Sequence, residues 1–239
     1  MKEFRAIVHQ TDERMLYLDL LLKDVRLNKP THIFAPNVVV KAATLTQVED
    51  GAKVYLGKCL DEAKMLANSR DITIVDYSKD EHFQAVNARL TAEGALKEII
   101  EHTVKSISDC TMLILGFGRT GAAMARLLNR LDVTFDVATN ASSRPSHAFA
   151  RKAIPLCDFN LSQYDVIINT VPSPIISDKE LTFAKQGCVY IELASTPAIN
   201  MDFARHIGMD AEIYPALPAK TCPYSAAKAM FDYISEAEK

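Results

Sequence analysis

Four apolar residues, Met112-Leu113-Ile114-Leu115, run directly into Gly116-Phe117-Gly118-Arg119-Thr120-Gly121, and a helix-forming run, Ala122-Ala123-Met124-Ala125-Arg126-Leu127-Leu128, leads out. A Gly-x-Gly-x-x-Gly string alone says little, because glycines are common in turns. A strand before it and a helix after it give it a mechanism. Gly116 permits the tight turn, Gly118 has no side chain to keep a pyrophosphate away, and Gly121 lets helix and strand approach closely. The helix N-terminus then offers unpaired N–H groups and a partial positive charge to phosphates. The segment reads as the phosphate-gripping turn of a dinucleotide-binding Rossmann domain, with all six residues Gly116 to Gly121 as cofactor ligands.

The remaining pattern agrees with that corner. Short apolar runs alternate with helical spacing, which argues for an α/β protein with a parallel sheet. In the second half, strands are expected at 112–115, 134–137, 166–168, 189–191 and 211–213, and helices near 120–131, 144–152, 178–185, 200–206 and 224–237. The first half offers strands at 6–8, 33–35, 54–56 and 72–75 with helices at 16–22 and 60–66. Between the halves, Ala95, Leu96, Ile99, Ile100 and Val104 make one apolar stripe, so a helix is expected from Thr91 to Ile107. The expected division is a small N-terminal α/β substrate-side domain over 1–88, a linking helix over 89–110, the doubly wound Rossmann domain over 111–223, and a C-terminal helix over 224–239 that can return to the first domain.

Composition narrows the function classes. The chain is 49% hydrophobic and 24% charged with a formal net charge of −3, and its lysines and arginines are scattered, which argues against nucleic-acid or membrane surfaces. No run approaches the ~20 apolar residues of a membrane span. The five cysteines are far apart, with no spacing suited to zinc or redox pairs. A cytoplasmic protein without a metal is expected.

Cofactor choice is read at the end of the second Rossmann strand. There an NAD site usually carries an acidic residue for the ribose hydroxyls. This chain has Ala138-Thr139-Asn140-Ala141-Ser142-Ser143-Arg144 instead. Hydroxyls, an amide and one guanidinium do not repel a 2′-phosphate, so Thr139, Asn140, Ser143 and Arg144 favour NADP, with NAD as the alternative. After the fourth strand, Asn169-Thr170-Val171-Pro172-Ser173-Pro174 must lie where ligands bind, beyond a strand's carboxyl end. Asn169, Thr170, Val171 and Pro172 are therefore expected to line the cofactor.

Several blocks together resemble the A subunit of dipicolinate synthase, which makes pyridine-2,6-dicarboxylate for bacterial spores. They are Thr91-Ala92-Glu93-Gly94-Ala95, Leu113 to Gly121, Ile168 to Ser173, Ile191-Glu192-Leu193-Ala194-Ser195-Thr196-Pro197, and Pro215-Ala216-Leu217-Pro218. The likeness covers roughly residues 85–235. It implies two domains with a cleft between them, oxidation of dihydrodipicolinate or its hydrated precursor with NADP as hydride acceptor, and cooperation with a B subunit in the mother-cell cytoplasm. Ala194 joins the cofactor residues through its block. The departures are specific. The first domain reads as short by a strand and its connection. Gln10-Thr11 stands where the family usually has a glycine pair, and Asn140 where it tends to carry Arg. Ala216-Leu217-Pro218-Ala219 and Ser225-Ala226-Ala227 replace glycine-containing stretches.

A dicarboxylate calls for cationic donors. Arg14, at the exit of the first strand, and Lys220, beyond the last, are the candidates. Hydride removal is helped by a base, for which Glu93 is the candidate, its other reading being a cap on the helix that Thr91 begins. The alternatives that stay open are a dehydrogenase of another small carboxylic acid and a non-catalytic dinucleotide-binding protein. A homodimer is expected from fold-level habit.

Overall fold

A computed structural model describes residues 3–140, 150–156 and 158–239. The chain divides into two compact units, one formed by 1–90 with 218–239 and the other by 91–217. In the first unit the order is β1 (Ala6–Val8), α1 (Glu13–Leu22), β2 (Thr31–Ile33), β3 (Val39–Val40), α2 (Ala42–Leu45), β4 (Lys53–Leu56), β5 (Lys58–Cys59), α3 (Asp61–Ser69), β6 (Thr73–Asp76) and α4 (Glu81–His102), the last running on into the second unit. Strands β1-β2-β4-β6 lie side by side in that order, all parallel.

Alternation along these strands divides the core. Ile33, Ala35 and Tyr55 face Met15, Leu18 and Leu22 of α1, whereas Phe34, Val54 and Leu56 face Ala63 and Ala67 of α3. The crossovers through α1 and α3 step the same way across the sheet with their helices on opposite faces, so they have opposite hands. One of them departs from the right-handed rule that about 98% of such connections obey.

The second unit contains β7 (Thr111–Leu115), α5 (Arg119–Arg130), β8 (Thr134–Ala138), β9 (Lys152–Ile154), β10 (Val166–Asn169), α6 (Asp178–Leu181), β11 (Val189–Glu192), α7 (Met201–His206) and β12 (Asp210–Ile213). Its sheet runs β12-β11-β10-β7-β8-β9, parallel throughout. Numbered within the unit this is 6-5-4-1-2-3, the doubly wound Rossmann order, and the strand order reverses between β7 and β10. After α8 (Leu217–Thr221), helix α9 (Pro223–Ala237) puts Ala227, Met230 and Ile234 into the apolar cluster of α1. Beyond its end, Glu238 accepts hydrogen bonds from Tyr55 Oη at 2.6 Å and Lys53 Nζ at 2.8 Å.

Some expectations are corrected. Helix α4 begins ten residues before Thr91 and stops at His102, short of Ile107. Asp80 Oδ1 accepts the Phe83 N–H at 2.6 Å and caps that start, so Thr91 and Glu93 are interior residues of the helix and Thr91 does not begin it. Of the helix expected over 144–152, residues 144–149 lie outside the described residues and Lys152 opens strand β9. The helix expected over 178–185 stops at Leu181.

Candidate functional site

The glycine turn is built as its sequence demands. Leu115 ends β7, and Gly116 takes φ +91°, a left-handed conformation open to glycine. A Cβ on Gly116 would lie 2.6 Å from Thr170 Oγ1 and 2.8 Å from Val171 Cγ2. A Cβ on Gly121 would collide with the Gly116 carbonyl, so helix α5 sits on the turn at glycine-only distance. At Gly118 a Cβ would meet nothing within 4 Å. Gly118 is also the N-cap of α5 and offers no side chain to its first-turn N–H groups. An open cradle over an uncapped helix N-terminus fits a pyrophosphate. Phe117, Arg119 and Thr120 complete the turn, Arg119 and Thr120 already in the first turn of α5.

The loop after β10 is held against that turn by a buried carboxylate. Residues Glu192, Asn169, Leu115 and Ala138 sit in register across the carboxyl ends of β11, β10, β7 and β8. Glu192 and Asn169 are fully buried. Asn169 Nδ2 donates to both Glu192 oxygens (2.7 and 3.0 Å), and Tyr190 Oη (2.7 Å), the Ala194 N–H (2.8 Å) and the Ala198 N–H (3.0 Å) donate as well. Burial, then the neighbouring Glu192, pushes the Tyr190 phenol far up, so it acts as a donor. Asn169 also binds both polar groups of the Val171 backbone, at 2.9 and 3.0 Å, and Thr170 Oγ1 donates to the Leu115 carbonyl at 2.8 Å. Thus Asn169, Thr170, Val171 and Ala194 are brought to one end of the sheet at the reversal of strand order, with Pro172 following them in the same loop.

At the end of β8, Thr139 is buried with its N–H on the Ile154 carbonyl at 2.9 Å. Asn140 uses its Oδ1 to accept the Leu156 N–H at 3.2 Å. Ser143 and Arg144 lie outside the described residues. Two buried charges in the unit went unread in the sequence, Glu192 and Asp136. Asp136 accepts from Arg151 Nε at 2.9 Å and Nη2 at 2.5 Å and from Tyr164 Oη at 2.8 Å. Burial works against its ionisation, yet Arg151 and Tyr164 hold its carboxyl below the ordinary range. The signal for Glu192 was an acidic residue at the end of an apolar strand; for Asp136 it was an acid inside one.

In the first unit Asp12 caps α1, accepting the Met15 N–H. Arg14 is buried, donating from Nη2 to Asp12 Oδ2 at 2.7 Å and to Asn37 Oδ1 at 2.5 Å, and from Nε to Asp12 Oδ1 at 3.3 Å. Its Nη1 makes no hydrogen bond among the described residues. A guanidinium fixed on two edges with the third open can receive a carboxylate. Lys220 is exposed on the short helix α8, and Glu93 is half-buried in the interior of α4. No group of metal-ligating side chains is gathered among the described residues.

Residues 63–203 match the family described as D-isomer specific 2-hydroxyacid dehydrogenase, NAD binding domain. The chain belongs to this family. It carries an NAD-binding dehydrogenase domain, and no described helix is long and apolar enough to cross a membrane. The dipicolinate synthase A subunit of Bacillus subtilis (strain 168) is 27% identical over 155 residues, covering 63% of this chain and 52% of that protein, so the match spans about half the relative's length. The crystal structure of the dipicolinate synthase A chain from Bacillus subtilis superposes with a TM-score of 0.81 at 18% identity, over 99% of this chain and 96% of that one. The dipicolinate synthase A subunit from Bacillus halodurans gives 0.77 at 20%, over 97% and 96%. The resemblance read from the sequence blocks is borne out, as is the parallel α/β Rossmann fold.

Proposed function

We propose that the chain is an NADP-dependent oxidoreductase of the dipicolinate synthase A type, oxidising dihydrodipicolinate or its hydrated precursor to dipicolinate. The open Cβ position of Gly118 above the uncapped start of α5 carries the cofactor half of this reading. Residues 116–121 hold the pyrophosphate, Thr139, Asn140, Ser143 and Arg144 meet the 2′-phosphate, and Asn169 to Pro172 with Ala194 line the nicotinamide end. Bound NADP supplies the hydride acceptor. Arg14 binds a substrate carboxylate through Nη1, and Lys220 is the candidate for the second. Glu93 is one candidate acceptor for the accompanying proton. A B-type subunit is the proposed partner, and the chain assembles as a homodimer.

The test is calorimetric titration with NADPH and NADH, followed by absorbance assay of dipicolinate formation with and without a B-type subunit. Micromolar NADPH binding, tenfold tighter than NADH (about 1.4 kcal/mol), with turnover supports the proposal. Preference for NADH overturns the 2′-phosphate assignment. Tight binding without turnover favours a non-catalytic dinucleotide-binding protein.

A further inference from the structure

The sheet of the first unit runs β1-β2-β4-β6, so β1 is an edge strand with one side open. The His9 N–H donates to the Ile33 carbonyl of the neighbouring strand at 2.9 Å. Ile7, two residues earlier, turns its backbone groups the same way. The N–H and C=O groups of Ala6 and Val8 therefore point outward, where no strand pairs with them among the described residues. Before Ala6 the edge is closed, because Phe4 exchanges both backbone hydrogen bonds with Leu27 at 2.9 Å. The open edge thus offers two donors and two acceptors.

Helix α1 lies along this edge. Arg5 Nη2 donates to the Lys23 carbonyl at 2.7 Å, and a groove of about 320 Å³ between strand and helix is lined by Arg5, Ala6, Asp19, Leu20, Leu22 and Lys23. Met15, Leu18 and Leu22 face the core. Glu13, Leu16, Leu20 and Lys23, at spacings of three, four and three, form one exposed stripe beside them. Leu16 is 47% exposed and Leu20 67%. The side chains of Glu13 and Lys23 make no ion pair or hydrogen bond among the described residues. An acid, two leucines and a base in that order are their own complement when reversed. Laid antiparallel on a copy of itself, the stripe sets Glu13 against Lys23 of the second copy and Leu16 against its Leu20.

The same reversal suits the strand. An antiparallel copy of β1 centred on Ile7 pairs Ala6 with Val8 of the second copy and Val8 with its Ala6, which satisfies all four outward groups. Ile7, 45% exposed, then stands opposite itself. The two centres also coincide. Arg5 and Ala6 lie level with the segment from Leu20 to Lys23. From there up to Ile7 is about 5 Å of strand, or about three residues of helix (roughly 3.3 and 1.5 Å per residue), which arrives at Leu18, the midpoint of the stripe. One twofold axis normal to the sheet serves both elements.

We propose that the open edge of β1 and the Glu13-Leu16-Leu20-Lys23 stripe of α1 form a twofold interface with a second copy of this chain. The proposal rests on the homodimer reading and is independent of substrate and cofactor. Contact of a surface with its own copy about a twofold axis is closed, so assembly stops at two chains.

Two experiments on the full-length chain test it. Ile7→Cys sets two thiols in a non-hydrogen-bonded antiparallel pair with Cα atoms about 4.5 Å apart, within disulfide range. Oxidation with diamide should give a covalent dimer from Ile7→Cys and none from wild type or from Met65→Cys, a substitution at an exposed position of α3. Ile7→Cys that stays monomeric, or equal yield from Met65→Cys, overturns the register. Sedimentation equilibrium gives the dimer dissociation constant. Lys23→Glu reverses the charge facing Glu13 and should raise that constant about tenfold. Adding Glu13→Lys should bring it back within twofold of wild type, because the exchanged charges meet again across the axis. Within one chain the two positions are about 15 Å apart and cannot compensate each other. Leu20→Asp should be monomeric with unchanged thermal unfolding. A dimer that survives Leu20→Asp, or a charge reversal without rescue, places the contact elsewhere and overturns the interface alone. Monomeric wild type overturns the homodimer reading and the interface with it.

Discussion

Side chains at Gly118 and Gly121 would meet quite different surroundings, and that contrast separates folding from binding. Gly118→Ala places its methyl in open space at an ordinary φ, so unfolding is expected unchanged while dinucleotide affinity falls tenfold or more (about 1.4 kcal/mol). Gly121→Ala drives the same methyl into the Gly116 carbonyl, and such overpacking costs about 1–3 kcal/mol of stability. Paired thermal unfolding and calorimetry decide; equal losses of stability in both variants would refute the assignment of Gly118 to the ligand. Ala216 presents the opposite case. It holds φ +56°, in the region where a Cβ costs roughly 1–2 kcal/mol. Ala216→Gly is expected to raise stability by about 0.5–1 kcal/mol after the entropic cost of glycine, measurable in urea. Glu192 is a third test. With Asn169, Tyr190 and two backbone N–H groups all donating to it, Glu192→Gln turns an NH2 toward a donor. The expected loss is about 2–3 kcal/mol, together with weaker dinucleotide binding as the loop after β10 loosens.

At the scale of elements, the legible part was the apolar run. In the two main sheets the strands other than β9 were readable as apolar runs between helical spacings, whereas the two-residue strands β3 and β5 were too short to give a pattern. Strand β9 was not readable, since it is secured by the ion pair of Arg151 with Asp136. The start of α4 was hidden by its polar first turns, although Asp80 and Glu81 were a usable capping signal. The glycine turn was legible as a binding site because its geometry is local. Glu192 was not, because it joins residues of two separate strands and the loops after them. The opposite hands of the α1 and α3 crossovers have a sequence counterpart too: loss of a strand after α1 would leave α1 leading to a strand on the other side of β1.

The amino ends of β7 and β10 carry an element-scale prediction of their own. Asp165 accepts from the Thr111 N–H at 2.9 Å and from Lys185 and Lys105 Nζ at 2.9 and 3.0 Å. Burial raises its carboxyl, but these donors outweigh burial and bring it to about 2. A depressed folded pKa gives stability that is complete above the unfolded value near 3.9 and fades as pH falls toward 2, worth roughly 2 kcal/mol. Asp165→Asn should therefore destabilise at pH 7, and the difference from wild type should shrink steadily between pH 4 and pH 2 (roughly the span of the two pKa values). A difference constant with pH would assign the loss to packing.

For the whole molecule, the chain enters the second unit within α4 and leaves it within α8, so the proposed cofactor residues from Gly116 to Ala194 belong to one unit while the proposed substrate residues Arg14 and Lys220 belong to the other. That division makes cofactor binding and substrate chemistry separately measurable. NADPH at 100 times its dissociation constant should stabilise the protein by about 2.7 kcal/mol. Hydrogen exchange should show where this arises. Slowing is expected at amides 116–121, 139–140 and 169–171, where the proposed ligand and the loop beside it would lie. Gly118→Ala should abolish this protection, because its methyl would stand in the open cradle over the start of α5. Protection at 116–121 that survives in that variant would mean that the pyrophosphate is held elsewhere, and the glycine turn would then have to be read as a structural corner and not as its cradle.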